Sequence, residues 1–180
     1  MDRLRLATVW FAGCSGCHMS FLDMDEWLVE LARFADVVYS PFVDHKQYPE
    51  NVDVCLVEGA IANTDNLELL CRVRARTRTL VAFGDCAITG NVSAMRNPLG
   101  SANHVLRRSY LDPGNLRPAL PAEPGVVPRL LDRVLPVHQV VPVEHFLPGC
   151  PPSAPQIRQF LEDLLAGRVQ SSQCATVRFG

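Results

Sequence analysis

Short apolar runs alternate with longer stretches of helical period along the chain. Residues 4–11 (LRLATVWF), 53–58 (DVCLVE) and 79–83 (TLVAF) are mostly apolar and of strand length, which is typical of strands buried on both faces. Residues 36–40 (DVVYS) and 137–143 predict two further strands. The pattern therefore predicts at least five short strands, mostly of the parallel type.

Helical periodicity fills three of the intervals. Residues 18–34 place apolar side chains at helical spacing. Asn63, Thr64 and Asp65 offer caps for a helix that runs to about residue 77. A last helix follows residue 153, with a capping box at its start and an apolar face up to Gly167.

The alternation of strands and helices predicts an α/β protein with a mostly parallel open sheet and helices on both faces. We expect a flavodoxin-like strand order in a single domain, residues 1–170, with a tail at 171–180. Residues 111–136 carry six prolines and are too long for an ordinary connection, so we expect an irregular excursion that is either a mobile flap or lies across a partner.

Net charge and the length of the apolar runs argue against several functions. The formal net charge of −2 gives no support for binding to nucleic acid or to an anionic membrane. No apolar run reaches the roughly 20 residues that span a bilayer, and neither a signal sequence nor a twin-arginine leader precedes the first strand. The expected location is cytoplasmic, without direct membrane insertion.

Six of the seven cysteines divide into two groups by their place on the predicted elements, and the seventh, Cys174, lies in the tail. Four follow the carboxyl ends of strands and are flanked by glycines, whereas Cys55 and Cys71 lie inside a strand and a helix. Because the carboxyl ends of parallel strands share one edge, the first group can converge despite its spread along the chain. That group is Cys14, Cys17, Cys86 and Cys150.

Three kinds of site compete for these thiols. A redox dithiol explains the CxxC at Cys14 and Cys17 but leaves Cys86 and Cys150 without a role. A structural zinc site usually draws on two close pairs of ligands, and here only one pair is close. A [4Fe–4S] cluster held by four cysteines fits best.

The motifs around these cysteines resemble the small subunit of [NiFe]-hydrogenases. They are the CxxC, VEGAI (57–61), GDCAITGN (84–91) and PGCPPS (148–153), in an order that covers most of residues 4–166. The resemblance implies a flavodoxin-like fold and one proximal [4Fe–4S] cluster on Cys14, Cys17, Cys86 and Cys150. It places the Ni–Fe centre in a separate large subunit. It also places Glu58 near the cluster and the subunit interface, with a possible proton role.

Departures from the family pattern narrow the resemblance. No cysteine-rich second domain follows Cys150, and position 16 is glycine rather than an extra cysteine. The chain is most similar to the short small subunit of cytoplasmic NAD-reducing (bidirectional) hydrogenases. That type implies partner subunits that carry iron–sulfur clusters, flavin and NAD (the diaphorase module), and the reversible reaction of H2 and NAD+ to NADH and H+. The chain would be inactive alone.

Other interpretations stay open at this point. Short small subunits also occur in energy-converting membrane-bound hydrogenases and in other cytoplasmic types. The quinone-side cluster subunit of complex I has adjacent cysteines where this chain has CSGC. A zinc-stabilised binding module is the alternative from another class.

Two further features have a functional and a structural interpretation. His18, next to Cys17, could donate a hydrogen bond to a cluster sulfur, or it could only cap the helix or face solvent. The arginine-rich run 72–78 (RVRARTR) could dock an acidic partner, but a solvated helix face is the favoured interpretation.

Overall fold

The computed structural model describes residues 3–112, 114 and 116–169, so the predicted tail at 171–180 lies outside the described residues. Its strands are β1 (Leu4–Trp10), β2 (Ala35–Tyr39), β3 (Val52–Glu58), β4 (Ile61–Asn63), β5 (Thr77–Phe83), β6 (Leu130–Leu135) and β7 (His145–Leu147). Its α-helices are α1 (Gly16–Leu22), α2 (Trp27–Leu31), α3 (Thr64–Arg76), α4 (Asp85–Thr89), α5 (Asn91–Ala94), α6 (Ala102–Leu106) and α7 (Ala154–Leu165). Two 3₁₀ turns, Asn97–Leu99 and Val137–Gln139, and a π-helical turn, Arg107–Leu111, complete the elements.

The main sheet has five strands in the order β2-β1-β3-β5-β7, and every neighbouring pair is parallel. In the register of the central strands, Leu6 lies opposite Val54 and Cys55 opposite Leu80. Counted within the sheet, this is the 2-1-3-4-5 order of doubly wound flavodoxin-like proteins. The predicted fold class is confirmed.

Helices cover both faces of this sheet because successive strand residues point to opposite sides. On β3, Val54 and Leu56 pack with α1, α2 and α7, while Cys55 and Val57 pack on the other side with α3 and α4. A strand that is apolar at successive positions is required to fill both cores, which explains the continuous apolar runs in the sequence.

The predicted strand at 137–143 is wrong. Residues Val137–Gln139 form a 3₁₀ turn, and the fifth strand of the sheet is His145–Leu147. Pro142 lacks a backbone N–H and cannot donate to a ladder. Glu144 joins the sheet instead: its N–H donates to Leu80 O at 3.1 Å, and its carboxylate accepts from Leu80 N–H at 2.6 Å.

Two other expectations need correction. The excursion predicted as irregular over 111–136 ends in β6 (Leu130–Leu135), which pairs antiparallel with β4 in a separate two-stranded sheet. The helix predicted over 18–34 is divided into α1 and α2, because Asp25 adopts a left-handed backbone conformation with φ of 48° and interrupts the helical geometry.

Within the described part of the chain, no helix combines the length and the apolar character that crossing a membrane requires.

Candidate metal centre at the carboxyl edge of the sheet

The four cysteines of the first group lie beyond the carboxyl ends of three strands of the main sheet. Cys14 follows β1, and Cys17 lies in the first turn of α1. Cys86 lies in the first turn of α4, directly after β5, and Cys150 follows β7. Since β1, β5 and β7 are parallel members of one sheet, the loops after them lie along the same edge.

Gly84 brings the CxxC loop and the Cys86 loop together. Its φ is +83°, and a Cβ added there would overlap Cys17 Sγ and lie 3.4 Å from Gly149 O. Carbon atoms do not approach sulfur so closely, so the absence of a side chain is a condition for the position of the Cys17 sulfur. Gly84 therefore lies between the loops that carry Cys17, Cys86 and Cys150.

Two hydrogen bonds tie the Cys86 loop to the Cys150 loop. Asp85 N–H donates to Gly149 O at 2.9 Å, and Gly149 N–H donates to Asp85 Oδ1 at 2.8 Å. Asp85 therefore joins two loops that are 64 residues apart in the sequence.

Further hydrogen bonds connect the same loops. Asn91 Nδ2 donates to Cys150 Sγ at 3.3 Å. On α1, Ser20 Oγ donates to Pro152 O at 2.6 Å, which ties the helix that carries Cys17 to the segment after Cys150. Three separate parts of the chain are thus held together around the cysteines by direct bonds.

The thiols are close enough to affect one another electrostatically. Burial raises the pKa of Cys17 well above its ordinary value, and the negative charges of Glu58 and of the other three cysteines add to the effect. The pKa of Cys86 is also raised, first by burial and then by Cys150 and Cys14. Without a cation the thiols of Cys17 and Cys86 therefore resist ionisation, whereas metal ions deprotonate coordinating thiols outright.

The donor set suits an iron–sulfur cluster. In the described residues no three His, Cys, Asp or Glu side chains are grouped around a point where one metal ion could bind. A [4Fe–4S] cluster has a different requirement, because it takes four thiolates, each bound to a separate iron. Four cysteines on three loops along one edge provide such a set, and the cluster itself is an expectation from their chemistry.

Glu58 and His18 form a buried pair behind the cysteine loop. They are 2% and 1% exposed. Glu58 Oε2 accepts a bond from His18 N–H at 3.0 Å and also contacts the ring Nδ1. On the other side of the ring, Nε2 lies 2.9 Å from Thr8 Oγ1, which in turn donates to Ser40 Oγ.

This pairing decides the role of His18. Both ring nitrogens are engaged, one by Glu58 and one by Thr8, so neither is free to donate to a sulfur of the cysteines. The structure instead gives His18 a third role, that of a buried side chain that binds Glu58 and Thr8. The bond from its backbone N–H anchors α1, one residue after Cys17, to the end of β3.

The segment after Glu58 is held against the start of the cysteine loop. Ala12 and Ala60 exchange backbone hydrogen bonds of 3.0 and 2.9 Å. Gly59, the residue before Ala60, adopts a φ of +88°, and a Cβ added there would lie 2.8 Å from the Phe11 carbonyl carbon. The Glu-Gly step thus permits the close backbone approach that positions Gly13 and Cys14.

The remaining cysteines and the arginine run have structural surroundings. Cys55 is fully buried on β3, and burial raises its pKa to about 12. Cys71 is exposed on α3. Within the run at 72–78, Arg74 donates to Glu144, and Arg76 pairs with Glu50. The run is therefore engaged within the chain and is not a fully solvated helix face, since the side chains of Arg74 and Arg76 are only 20% and 33% exposed.

A flavodoxin-like sheet with four thiols at its carboxyl edge defines a class of small oxidoreductase subunits. The chain belongs to the family described as the 20 kDa subunit of NADH ubiquinone oxidoreductase, whose model matches residues 14–164. Its relatives within that family are hydrogenase small subunits, so the resemblance in the sequence motifs is confirmed.

Three comparisons document this relationship. The NAD-reducing hydrogenase HoxS subunit delta of Cupriavidus necator is 36% identical over 92% of this chain and 80% of its own length. A chain of a crystallised NAD+-reducing [NiFe]-hydrogenase superimposes with a TM-score of 0.89 at 40% identity, over 99% of this chain and 100% of that one. A subunit of the F420-non-reducing hydrogenase of Methanothermobacter thermautotrophicus is 32% identical over 92% of this chain, which spans 54% of that subunit's length.

Sequence reasoning missed most of the residues that support the site. Thr8 and Ser40 gave no signal, because a hydroxyl side chain has no distinctive spacing when its partner is distant in sequence. The motif GDCAITGN did contain both Asp85 and Asn91. The polar residues flanking a predicted cysteine ligand were the available signal.

Proposed function

We propose that this chain is the electron-transfer small subunit of a [NiFe]-hydrogenase of the NAD-reducing type. Cys14, Cys17, Cys86 and Cys150 would hold one [4Fe–4S] cluster. Electrons would pass between the Ni–Fe centre of a large subunit and a flavin and NAD module, in the reversible overall reaction of H2 and NAD+ to NADH and H+. The observation that carries the proposal is the set of four thiols on three cross-tied loops at one sheet edge.

Similarity favours the NAD-reducing type over the other short-type hydrogenases. This chain is 36% identical to the Cupriavidus HoxS subunit delta, and 40% identical to the chain of the NAD+-reducing enzyme that superimposes with a TM-score of 0.89. It is 32% identical to the related subunit of the F420-non-reducing hydrogenase, of which it spans 54%.

The chain's own residues would position and shield the cluster. When bound, it would supply one-electron exchange, while the protein fixes the four sulfurs and their environment. The Asp85–Gly149 bonds hold two of the ligand loops at a set separation. Asn91, through its bond to Cys150 Sγ, would stabilise negative charge on that sulfur.

Exposed apolar side chains support a large-subunit contact at this edge. Trp10 ends β1, Met19 follows the CxxC on α1, and Val92 and Met95 lie on or beside α5, and all are exposed. Ser93 Oγ donates to Ala12 O, so α5 lies beside the cysteine loop. Apolar surface of this kind is usual in obligate subunit interfaces. Since NAD is a cytoplasmic substrate, the proposal includes a cytoplasmic location.

The first experiment is anaerobic purification through a tag on this chain, together with the subunits that co-purify. We expect at least four irons and four acid-labile sulfides per chain, with more where partner subunits contribute their own, and a reduced cluster signal in EPR. Serine at any of the four cysteines should abolish the native signal. Cys71 is exposed on α3, so Cys71→Ser is the matched control and should retain the EPR signal.

Different results would point to the alternatives. Zinc without sulfide would support a zinc-stabilised binding module, and a reversible Cys14–Cys17 disulfide without metal would support a redox dithiol. A cluster-containing complex that oxidises H2 with a dye but never with NAD+ would support another short-type hydrogenase. A complex with the cluster but without any hydrogenase large subunit would support a complex I-like subunit.

A further inference from the structure

The segment between α6 and the second half of β6 carries arginines whose side chains have no partner among the described residues. Every other described arginine donates to a carboxylate or a backbone carbonyl, as Arg74 does to Glu144 and Arg96 to Leu131 O. We define the basic arm as residues 107–112 and 116–133. Its arginines, which have no ion pair or side-chain hydrogen bond with any described residue, are Arg107, Arg108, Arg117, Arg129 and Arg133.

The arm is firmly attached at its base. Arg96 donates to Leu131 O at 2.6 Å, and the Asn97 side chain both donates to Val134 O and accepts from Val134 N–H. On the other side, Thr64 N–H donates to Arg129 O at 2.9 Å. The backbone that carries Arg129 and Arg133 is therefore held in place next to β4 and β6.

Before this attached part, the arm exposes apolar side chains as well as charge. Leu116 is fully exposed at 101%, and Leu120, Val126 and Val127 are also accessible. Five prolines, one at 113 and four within residues 116–133, restrict the backbone, which lowers the entropy lost when such a segment binds. Arginine interleaved with apolar residues is the composition that protein interfaces favour.

Charge decides what kind of surface the arm fits. The whole chain has a formal net charge of −2, yet the arm has five arginines against Asp112, Glu123 and Asp132. Asp132 is already occupied by Ser101 Oγ and Ala102 N–H. The unpaired guanidiniums would be stabilised by carboxylates, which they bind in bidentate geometry.

We propose that the basic arm docks an acidic face of the electron-accepting iron–sulfur subunit, and this rests on the function proposed above. The large subunit is a poorer fit, because obligate interfaces are apolar and depleted of charge at their core. A surface of free arginines suits a more polar contact in which charge steers association. The apolar carboxyl edge and the basic arm would then serve two different partners.

The test uses the whole complex, purified through a tag on this chain. One variant carries Arg107→Glu, Arg108→Glu and Arg117→Glu. The matched control reverses three exposed arginines outside the arm, Arg33→Glu, Arg72→Glu and Arg158→Glu. Co-purified subunits are measured after washes at about 0.05 M and about 0.3 M salt, where screening differs strongly. H2 oxidation is measured with a viologen dye and with NAD+.

The arm variant should keep the large subunit and dye reduction but lose the iron–sulfur subunit in the higher-salt wash. Its H2-dependent NAD+ reduction should fall about tenfold or more, with the greater loss at higher salt. The control should behave as the unmodified complex. Replacement by glutamine at the same three positions should give an intermediate result, since it removes charge without adding repulsion.

Several outcomes would overturn the proposal. Unchanged subunit retention and NAD+ reduction in the arm variant would show that the arginines dock nothing in the complex. Loss of the large subunit instead would assign the arm to that partner. Binding of the unmodified complex to phosphatidylglycerol vesicles or to DNA, abolished by the reversal while NAD+ reduction stays normal, would assign it to another anion. If the unmodified complex lacked iron and H2 oxidation, the proposed function would fail and the arm proposal with it. Intact H2 oxidation by the unmodified complex, with unchanged subunit retention in the arm variant, would overturn the arm proposal alone.

Discussion

Asp85 and Gly149 exchange two hydrogen bonds, of 2.8 and 2.9 Å, between the loops that carry Cys86 and Cys150. The Asp85 carboxylate accepts from the Gly149 backbone N–H, which has no other partner among the described residues. These two bonds fix the distance between the loops that carry Cys86 and Cys150.

Asp85→Ala should loosen the two loops and release the metal more quickly. Loss of a charge-assisted bond that leaves its partner unsatisfied costs about 2 kcal/mol. We expect iron loss to a chelator to be accelerated roughly tenfold or more, since 1.4 kcal/mol corresponds to a factor of about ten. Asp85→Asn keeps an acceptor oxygen and should lie near the unmodified chain. Asp65→Ala, on exposed α3, is the control. Equal release rates in all variants would contradict the structural role.

Gly84→Ala and Gly100→Ala compare a glycine packed against a sulfur with a glycine beside open space. Both have a positive φ, with ψ of 162° at Gly84 and −26° at Gly100. An added Cβ overlaps Cys17 Sγ in the first and meets nothing within 4 Å in the second. Gly100→Ala should cost about 1–2 kcal/mol of stability and leave the iron content unchanged. Gly84→Ala should abolish the native cluster signal. Similar iron contents in the two variants would rule out the close packing of Gly84 on Cys17.

Asn91→Gly should lower the midpoint potential of the proposed cluster. Asn91 Nδ2 donates to Cys150 Sγ at 3.3 Å, and such bonds favour the more negative, reduced form. A bond of about 1 kcal/mol corresponds to about 40 mV for one electron. Glycine also suits the backbone here, where φ is 37°. A redox titration followed by EPR measures the change, and an unchanged or higher potential would contradict the prediction.

Glu58→Leu should destabilise the chain by about 3 kcal/mol, because the His18 backbone N–H and ring would both lose their buried acceptor. Glu58→Gln retains an acceptor and should cost less. Glu68→Leu, on exposed α3, should change stability by less than about 0.5 kcal/mol. Urea unfolding under identical conditions compares the three. If Glu58→Leu were no worse than Glu68→Leu, the buried pair would not contribute to stability.

His145 should make the chain less stable as the pH falls. Burial lowers the pKa of His145, and nearby Glu144 only partly opposes the effect. Its Nδ1 is buried without a partner among the described residues. The folded chain therefore holds the ring neutral, while the unfolded chain binds a proton with a pKa of about 6.5. The stability that the neutral ring contributes is fully present above that pKa and is lost as the pH falls toward the folded value.

His145→Leu should flatten this dependence between about pH 7 and pH 5. His104→Leu, at an exposed position, is the control and should retain the slope of the unmodified chain. Urea midpoints measured across that range provide the comparison. A slope that is equally steep after His145→Leu would place the acid sensitivity at another group.

The parts of the fold that could be predicted depend on local periodicity. Residues on β1, β3 and β5 are apolar at successive positions because both faces of these strands are buried. The strand that joins through His145–Leu147 was misplaced, since three residues are too few for a periodic signal. The β4–β6 pair was missed for a related reason: β4 has only three residues, and its partner lies far along the chain.

The class of fold and the positions of the four cysteines relative to the strand ends follow from the amino-acid order alone. They do so because parallel strands place their carboxyl ends on a common edge whatever the loops between them contain. The folded chain was needed to show that Asp85 bonds Gly149, that His18 bonds Glu58 rather than a sulfur, and which arginines stay unpaired. Those contacts join residues up to 64 positions apart or depend on a partner's position, and no local pattern of side chains encodes such distances.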